Sequence, residues 1–270
     1  MKISPIVIAA TLLAGFAPAA QAQQGRPALE RLYVIDCGQG HATDQSRWTT
    51  GYNAGKEVDF SDNCYLIKHA QGWMLWDTGL ADSYTNPPSQ PASFTWRRKT
   101  TLASDLEALG VKPADIKYVA ISHTHGDHSG NAELFPQALL LVQKAEYDWP
   151  NQDGTARFKP EHPVKKLEGD YDVFGDGSVT IVSTPGHTPG HQSLLVKLPK
   201  TGAVILTGDA VHFQESWEKR LVPGFNFDQD KSRASMQRLA DLAAQNKALV
   251  WINHDKTISD AVKHAPDFYE

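Results

Sequence analysis

His123-Thr-His125-Gly-Asp127-His128 places three imidazoles and a carboxylate within six residues. A solvated loop has no reason to collect neutral imidazoles, whereas zinc, a borderline-soft cation, takes histidine nitrogens and aspartate oxygens. Gly126 frees the backbone to turn, so that successive side chains converge. In an extended segment His123 and His125 project to the same side, which suits one metal; after the turn, Asp127 and His128 are displaced toward a second. Further ligand types lie downstream: His187 in Ser183-Thr-Pro-Gly-His187-Thr-Pro-Gly-His191, Asp209 in Thr207-Gly-Asp209, and His254 in Asn253-His254-Asp255. The set divides into His123, His125 and His187 for one divalent ion and Asp127, His128 and His254 for another, with Asp209 bridging the pair. The plainer reading of a single histidine is a hydrogen-bonded loop residue with incidental neighbours, and the density of this cluster tells against it.

Each ligand group follows a short apolar run: Tyr118-Val-Ala-Ile121, Val179-Thr-Ile-Val182, Val204-Ile-Leu206 and Leu249-Val-Trp-Ile252. Such runs, ending in Gly, Pro or Asn turns, read as strands. Open sheets place their active sites at the carboxyl ends of strands. Strands are also expected at 32–36, 64–68, 73–76, 139–142 and 193–197. Helices are expected at 101–109, near 131–134, at 144–149, over 229–245 and near 257–264. The helix over 229–245 carries Met236, Leu239, Leu242 and Ala243 on one face. Residues 38–62 and 150–170 read as polar irregular chain, and 82–99, with its prolines, Phe94 and Trp96, as a loop long enough to be a lid or an interface. Because the ligands come from both halves of the chain, residues 23–270 form one domain.

The arrangement resembles the metallo-β-lactamase-fold hydrolases and, within them, the N-acyl homoserine lactonase family. The resemblance is carried by Leu32-Tyr-Val-Ile-Asp-Cys37, Asn63-Cys-Tyr-Leu-Ile67, Leu75-Trp-Asp-Thr-Gly79, Ile121-Ser-His-Thr-His-Gly-Asp-His-Ser-Gly130, Thr184-Pro-Gly-His-Thr-Pro-Gly-His-Gln-Ser193 and Leu206-Thr-Gly-Asp209, and it covers nearly all of residues 23–270. The HxHxDH motif alone marks the superfamily; the 184–193 stretch together with Asp209 narrows it toward lactonases. The resemblance implies an α+β fold, a four-layer αβ/βα sandwich with a dinuclear centre between two sheets, and the ligand roles given above. It implies a hydrolase that opens the lactone ring of N-acyl homoserine lactones, which is quorum quenching. The nucleophile would be a hydroxide shared by two divalent ions, zinc foremost, about 3.5–4 Å apart, since metal binding lowers the pKa of water to about 7. Asp127 would shuttle the proton. Rival activities are those of a β-lactamase, whose zinc forms generally lack an acidic bridge, and of a phosphotriesterase or aryl esterase. A non-catalytic metal-binding protein would have no use for complete ligands to two metals.

One position departs from the family. Where its members commonly carry a Tyr that contacts the lactone carbonyl, this chain has His212, three residues after Asp209. An imidazole can donate to a carbonyl, although it titrates near neutrality where a phenol does not. The alternative is an exposed loop histidine. His191 looks like a ligand, but the family uses only the first histidine of that stretch, so it reads as a support for the loop or a nearby carboxylate. Asp77 similarly reads as a buried acid that orients the site, and His41, His69, His162 and His264 as surface or locally bonded residues. Trp96, Trp217 and Phe225 are candidates for contact with an acyl chain and equally for ordinary packing.

Residues 1–22 begin with Lys2, run through an apolar stretch to Phe16 and end Ala20-Gln-Ala22, the pattern of a secretory signal peptide too short to span a membrane convincingly. The expectation is an exported protein, periplasmic or secreted, with no integral membrane segment after cleavage. Cys37 and Cys64 would then share an oxidising compartment, and they could form a disulfide or remain two buried thiols. The net charge of −5 shows no basic cluster and argues against nucleic acid as a partner. The expected partner is a small-molecule lactone, and homodimerisation is left open.

Overall fold

The computed structural model describes Met1 and residues 28–270, so all of the expected signal peptide but Met1 lies outside the described residues. The chain builds β1 (Leu29–Ala42), β2 (Val58–His69), β3 (Gly72–Trp76), β4 (Phe94–Arg97), β5 (Ile116–Ala120), β6 (Leu139–Gln143), β7 (Val164–Leu167), β8 (Tyr171–Asp172), β9 (Val179–Ser183), β10 (Gln192–Leu198), β11 (Gly202–Leu206) and β12 (Leu249–Trp251). They form two sheets, ordered β4-β1-β2-β3-β5-β6-β7 and β12-β11-β10-β9-β8. β3, β5, β6 and β7 run parallel, whereas β1, β2 and β3 form an antiparallel meander.

The layers follow from which faces are apolar. Leu32, Val34, Ile67, Met74 and Trp76 of the first sheet pack against Ile181, Leu194, Val196, Val204 and Leu206 of the second. The outer face of the first sheet, with Leu66, Leu75, Val119 and Leu140, is covered by Leu102 and Leu106 of the helix Leu102–Ala108. The outer face of the second, with Val182, Leu195 and Ile205, is covered by Met236 and Leu239 of the helix Gln229–Asn246. Helix, sheet, sheet, helix gives four layers, the expected α+β sandwich. Burial on both faces explains why the strands carry near-continuous apolar runs without polar alternation.

The helix Gln229–Asn246 buries Met236 and Leu239 as its pattern predicts, but its first turns bury Ser232 and Ser235. The reason is a close backbone approach. A Cβ on Gly186, whose φ is +139°, would lie 2.3 Å from the Ser232 nitrogen, and Ser235 Oγ donates to the Pro185 carbonyl. Small polar residues dock the helix onto the loop that carries His187.

Three segments differ from the sequence reading. β1 and β2 are long paired strands, so that only residues 43–57 remain as loop between them. Within 82–99, β4 adds to β1, with Gln39 opposite Arg97 and Ala42 opposite Phe94. β7 likewise forms within 150–170, against β6. These short edge strands form because partners are available, since segments of four residues carry too little periodicity to stand alone.

Cys37 and Cys64 form a disulfide between β1 and β2. The register slips between Asp36 and Gly38, and Cys64 stands opposite Ile35. Closing a 27-residue separation removes about 3–4 kcal/mol of loop entropy from the unfolded chain. Protein unfolded without reductant should therefore show no thiol that a maleimide can label, and two after reduction; labelling of both cysteines before reduction would refute the bridge.

Candidate metal centre

Four strand ends deliver the site. β5 leads into Ser122 and the His123–His128 turn, β9 into the loop ending at His191, β11 into Thr207-Gly208-Asp209, and β12 into Asn253-His254. Among the described residues, His123, His125, His187 and Asp209 form one cluster with metal-ligating atoms, and Asp127, His128 and His254 another. In the first, His125 Nδ1 lies 2.9 Å from His123 Nε2 and 3.0 Å from His187 Nε2. In the second, His128 Nε2 lies 3.3 Å from His254 Nε2, and Asp127 Oδ2 lies 3.7 Å from His254 Nε2. Asp209 spans the two. Its Oδ2 is 3.2 Å from His187 Nε2, while its Oδ1 is 3.1 Å from both His128 Nε2 and His254 Nε2.

The residues behind the ligands fix which nitrogen faces the centre. His128 Nδ1 donates to Asp77 Oδ2 at 2.9 Å, His187 Nδ1 to Asn226 Oδ1 at 2.9 Å and His254 Nδ1 to the Ser61 carbonyl at 2.7 Å. With the Nδ1 proton held by an acceptor, Nε2 is the nitrogen each ring turns toward a cation. Asp77 is buried, and it also accepts from Ser122 Oγ, as its sequence context predicts. His191 is a support, as expected: its Nδ1 donates to the Thr184 carbonyl, leaving Nε2 to accept the Asp209 backbone N–H at 2.9 Å. Gly208 is needed here, because its φ is +52° and a Cβ would lie 2.8 Å from His191 Nε2.

Several supporting residues carry no motif. Asp62 Oδ1 accepts from Asn253 Nδ2 and its Oδ2 from the Leu80 N–H; Asn63 N–H donates to Asn253 Oδ1. Burial pushes the Asp62 carboxyl up to about 7. Glu146, fully buried, accepts from Thr124 N–H and Oγ1 and from Gly190 N–H, tying the His123–His128 turn to the His187 loop. The histidines outside the centre bond elsewhere: His41 to Asp59, His162 to the Ala138 carbonyl, His264 to the Val262 carbonyl, and the buried His69 across the fold to Asp176.

The electrostatics divide the imidazoles. Burial, together with neighbouring imidazoles, holds His123 and His187 well below their ordinary range, and burial takes His191 down to about 3. Burial also works against a charged His128, yet Asp209, Asp77 and Asp127 outweigh it and hold this imidazole well above its usual value. His254 is raised in the same way, by Asp209 and Asp127 against burial, to about 9. Asp209 would be pushed up by burial, but His254, His128, His212 and His187 keep it well below the carboxylate range.

The residues fit a pair of cations. Asp209 Oδ1 is buried without a hydrogen-bond partner, although two imidazole nitrogens stand 3.1 Å away. Once His128 and His254 give up their Nε2 protons, the lone pairs facing one another at this spacing are collectively satisfied by a positive ion, and the histidine and carboxylate donors suit a borderline divalent metal. The raised His254 sets the sign of a pH effect. Its proton, held below about pH 9, must leave before Nε2 can take an ion, so metal affinity of the second triad should rise with pH up to about 9. Calorimetric titration of metal-free protein at pH 7, in buffers of different ionisation enthalpy, should show net proton release; uptake or no exchange would contradict this assignment.

The centre opens into a cavity of about 410 Å³ lined by Arg47, Trp48, Phe60, Phe94, Trp96, His125, Asp127, His187, Asp209, His212, Phe225 and His254. Trp96 and Phe225 thus reach the site, whereas Trp217 packs on the outer face of the second sheet. His212 is buried rather than exposed, with Nε2 3.1 Å from Asp209 Oδ2. Unlike the nitrogens behind His128, His187 and His254, its Nδ1 has no partner.

Residues 58–245 match the model of the metallo-beta-lactamase superfamily. The N-acyl homoserine lactonase AttM of Azorhizobium caulinodans is 36% identical over 261 residues, covering 89% of this chain and 98% of that protein. AttM of Rhizobium radiobacter is 41% identical over 235 residues, 80% of this chain and 89% of its own. Among solved structures, an N-acyl homoserine lactone hydrolase with the product N-hexanoyl-L-homoserine bound at its catalytic metal centre superposes with a TM-score of 0.78 at 28% identity, covering 89% of this chain and 99% of that one. The chain belongs to the metallo-β-lactamase superfamily and, within it, to the N-acyl homoserine lactonase family.

Proposed function

We propose that this protein hydrolyses the lactone ring of N-acyl homoserine lactones, using two divalent ions per chain, zinc foremost. The observation that carries the reading is Asp209, whose two carboxylate oxygens face two separate ligand triads at the floor of an aromatic-walled cavity. His123, His125 and His187 would hold one ion, and Asp127, His128 and His254 the other. When bound, such a pair supplies a water activated near neutral pH and electrophilic polarisation of a carbonyl.

The chain's own residues do the rest. Asp127 makes no hydrogen bond to protein among the described residues and lines the cavity, so with Oδ2 toward the second triad its Oδ1 can take a proton from the attacking water and return it to the ring oxygen as the C–O bond breaks. His212, beside Oδ2 of Asp209, donates to the lactone carbonyl in the place of the family's Tyr. Trp48, Phe60, Phe94, Trp96 and Phe225 give the acyl chain an apolar wall and keep water from it. We also propose that residues 1–22 are removed as a signal peptide and that the enzyme works outside the cytoplasm, where the Cys37–Cys64 disulfide persists.

A substrate panel tests the function. Homoserine lactones should be hydrolysed with far greater catalytic efficiency than aryl esters, phosphotriesters or β-lactams, with about two ions bound per chain and activity lost to chelators. A preference for any other class, or full activity in metal-free protein, would sink the proposal.

A further inference from the structure

Arg47 is the single Lys or Arg among the residues lining the metal-centre cavity, and neither the metals nor the reaction uses it. Its guanidinium carbon lies 4.0 Å over the Phe94 ring. Among the described residues, the Arg47 side chain makes no hydrogen bond and no ion pair. Stacking fixes the plane of the group and leaves its N–H donors free at the edge.

The segment carrying it is tethered. Asp44 caps the short turn Gln45–Arg47, and Trp48 packs edge-on against Phe60 and Phe213. Asn53 Nδ2 donates to Gln45 Oε1 at 2.9 Å and to Glu215 Oε2 at 3.0 Å, and Tyr52 and Lys219 also bond Glu215. Loop 43–57 is thereby clasped to the helix Gln214–Lys219, which begins two residues after His212.

We infer that Arg47 is a specificity-determining residue that donates to an oxygen on the acyl chain, favouring 3-oxo-acyl homoserine lactones over unsubstituted ones of equal length. This rests on the lactonase reading. The aromatic wall already satisfies a plain alkyl chain. Arg47 is exposed, so an alkyl chain laid against it strips only part of the cation's water, but it returns no acceptor, whereas a keto oxygen returns one. The amide carbonyl is common to all these substrates and cannot discriminate among them; carbon 3 is the next position where the class carries an oxygen. A site built to hydrogen-bond a group discriminates against the analogue lacking it.

The test is the ratio of kcat/KM for 3-oxo-octanoyl and octanoyl homoserine lactone in the metal-loaded enzyme. The native enzyme should favour the 3-oxo substrate about tenfold or more, the scale of one charge-assisted hydrogen bond. Arg47→Met should bring the ratio close to one, and Arg47→Lys, which keeps the charge but loses the flat stack, should fall between. A general defect would lower both rates and leave the ratio untouched, which would overturn the assignment. So would a native enzyme without 3-oxo preference. Failure to hydrolyse either lactone would overturn the lactonase reading itself and this inference with it.

Discussion

Asp209→Ala should abolish stable occupancy of the paired metal centre and lower catalytic efficiency at least a hundredfold to several thousandfold. The carboxylate is buried and stands within about 3 Å of nitrogens from both triads. Removing one member of a buried set of charges costs about 3–5 kcal/mol, because the others are left uncompensated. Here the remaining members would be two cations with no anion between them. At 1.4 kcal/mol per factor of ten, that range is about a hundredfold to several thousandfold in metal affinity, and the loss of catalytic efficiency follows it. Asp209→Asn should recover little, since an amide keeps the shape but supplies no charge. Metal analysis after gel filtration, alongside kcat/KM on one homoserine lactone, checks both readouts. An Ala variant that retains two ions and native turnover would show that the centre does not depend on a bridging acid.

His212→Ala should lower kcat/KM about 10- to 1000-fold, the scale for losing one donor to a developing oxyanion. Its metal content should match the native protein. Distance alone does not separate His212 from the ligands, since its Nε2 is as close to Asp209 Oδ2 as that of His187. The difference lies behind the ring. His187 has Asn226 to fix its Nδ1 proton, while His212 Nδ1 has no partner. A group without a fixed tautomer suits a donor that adjusts to substrate better than a permanent ligand. His212→Tyr should retain substantial activity, because it restores the donor common in the family. Native kinetics in the Ala variant would make His212 a bystander, and loss of an ion would make it a ligand.

The candidate ligand cluster was legible because its residue types are distinctive and each sits just past an apolar run, and the structure brings His123, His187, Asp209 and His254 together. The two sheets followed from the same runs. What stayed hidden has a common cause: it depends on register. Ser61, Asp62 and Asn63 support His254 from about 190 residues away, and nothing in three ordinary polar residues announces that. Glu146 sits on an expected helix, yet its acceptance from Thr124 and Gly190 follows only once two loops are side by side. β4 stays hidden because its four residues alternate too briefly to stand out from a long segment with Pro87, Pro88 and Pro91; it is a strand because β1 offers an open edge. Cys37 and Cys64 could be placed on neighbouring strands, but their approach depends on the slip between Asp36 and Gly38.

Each proposed triad draws its candidate ligands from both sheets. His123, His125, Asp127 and His128 follow β5 of the first sheet, while His187, Asp209 and His254 follow β9, β11 and β12 of the second. An ion proposed for either position would therefore be a rivet between the halves of the sandwich as well as a reagent. Free metal at a thousand times its dissociation constant contributes about 4 kcal/mol per site to holding the native state together, provided the unfolded chain does not bind it. That is comparable to what the Cys37–Cys64 bridge contributes, and it varies with supply. Scarcity of metal would then act twice, halting turnover and loosening the seam between the sheets, so that the idle enzyme is also the one more open to proteolysis.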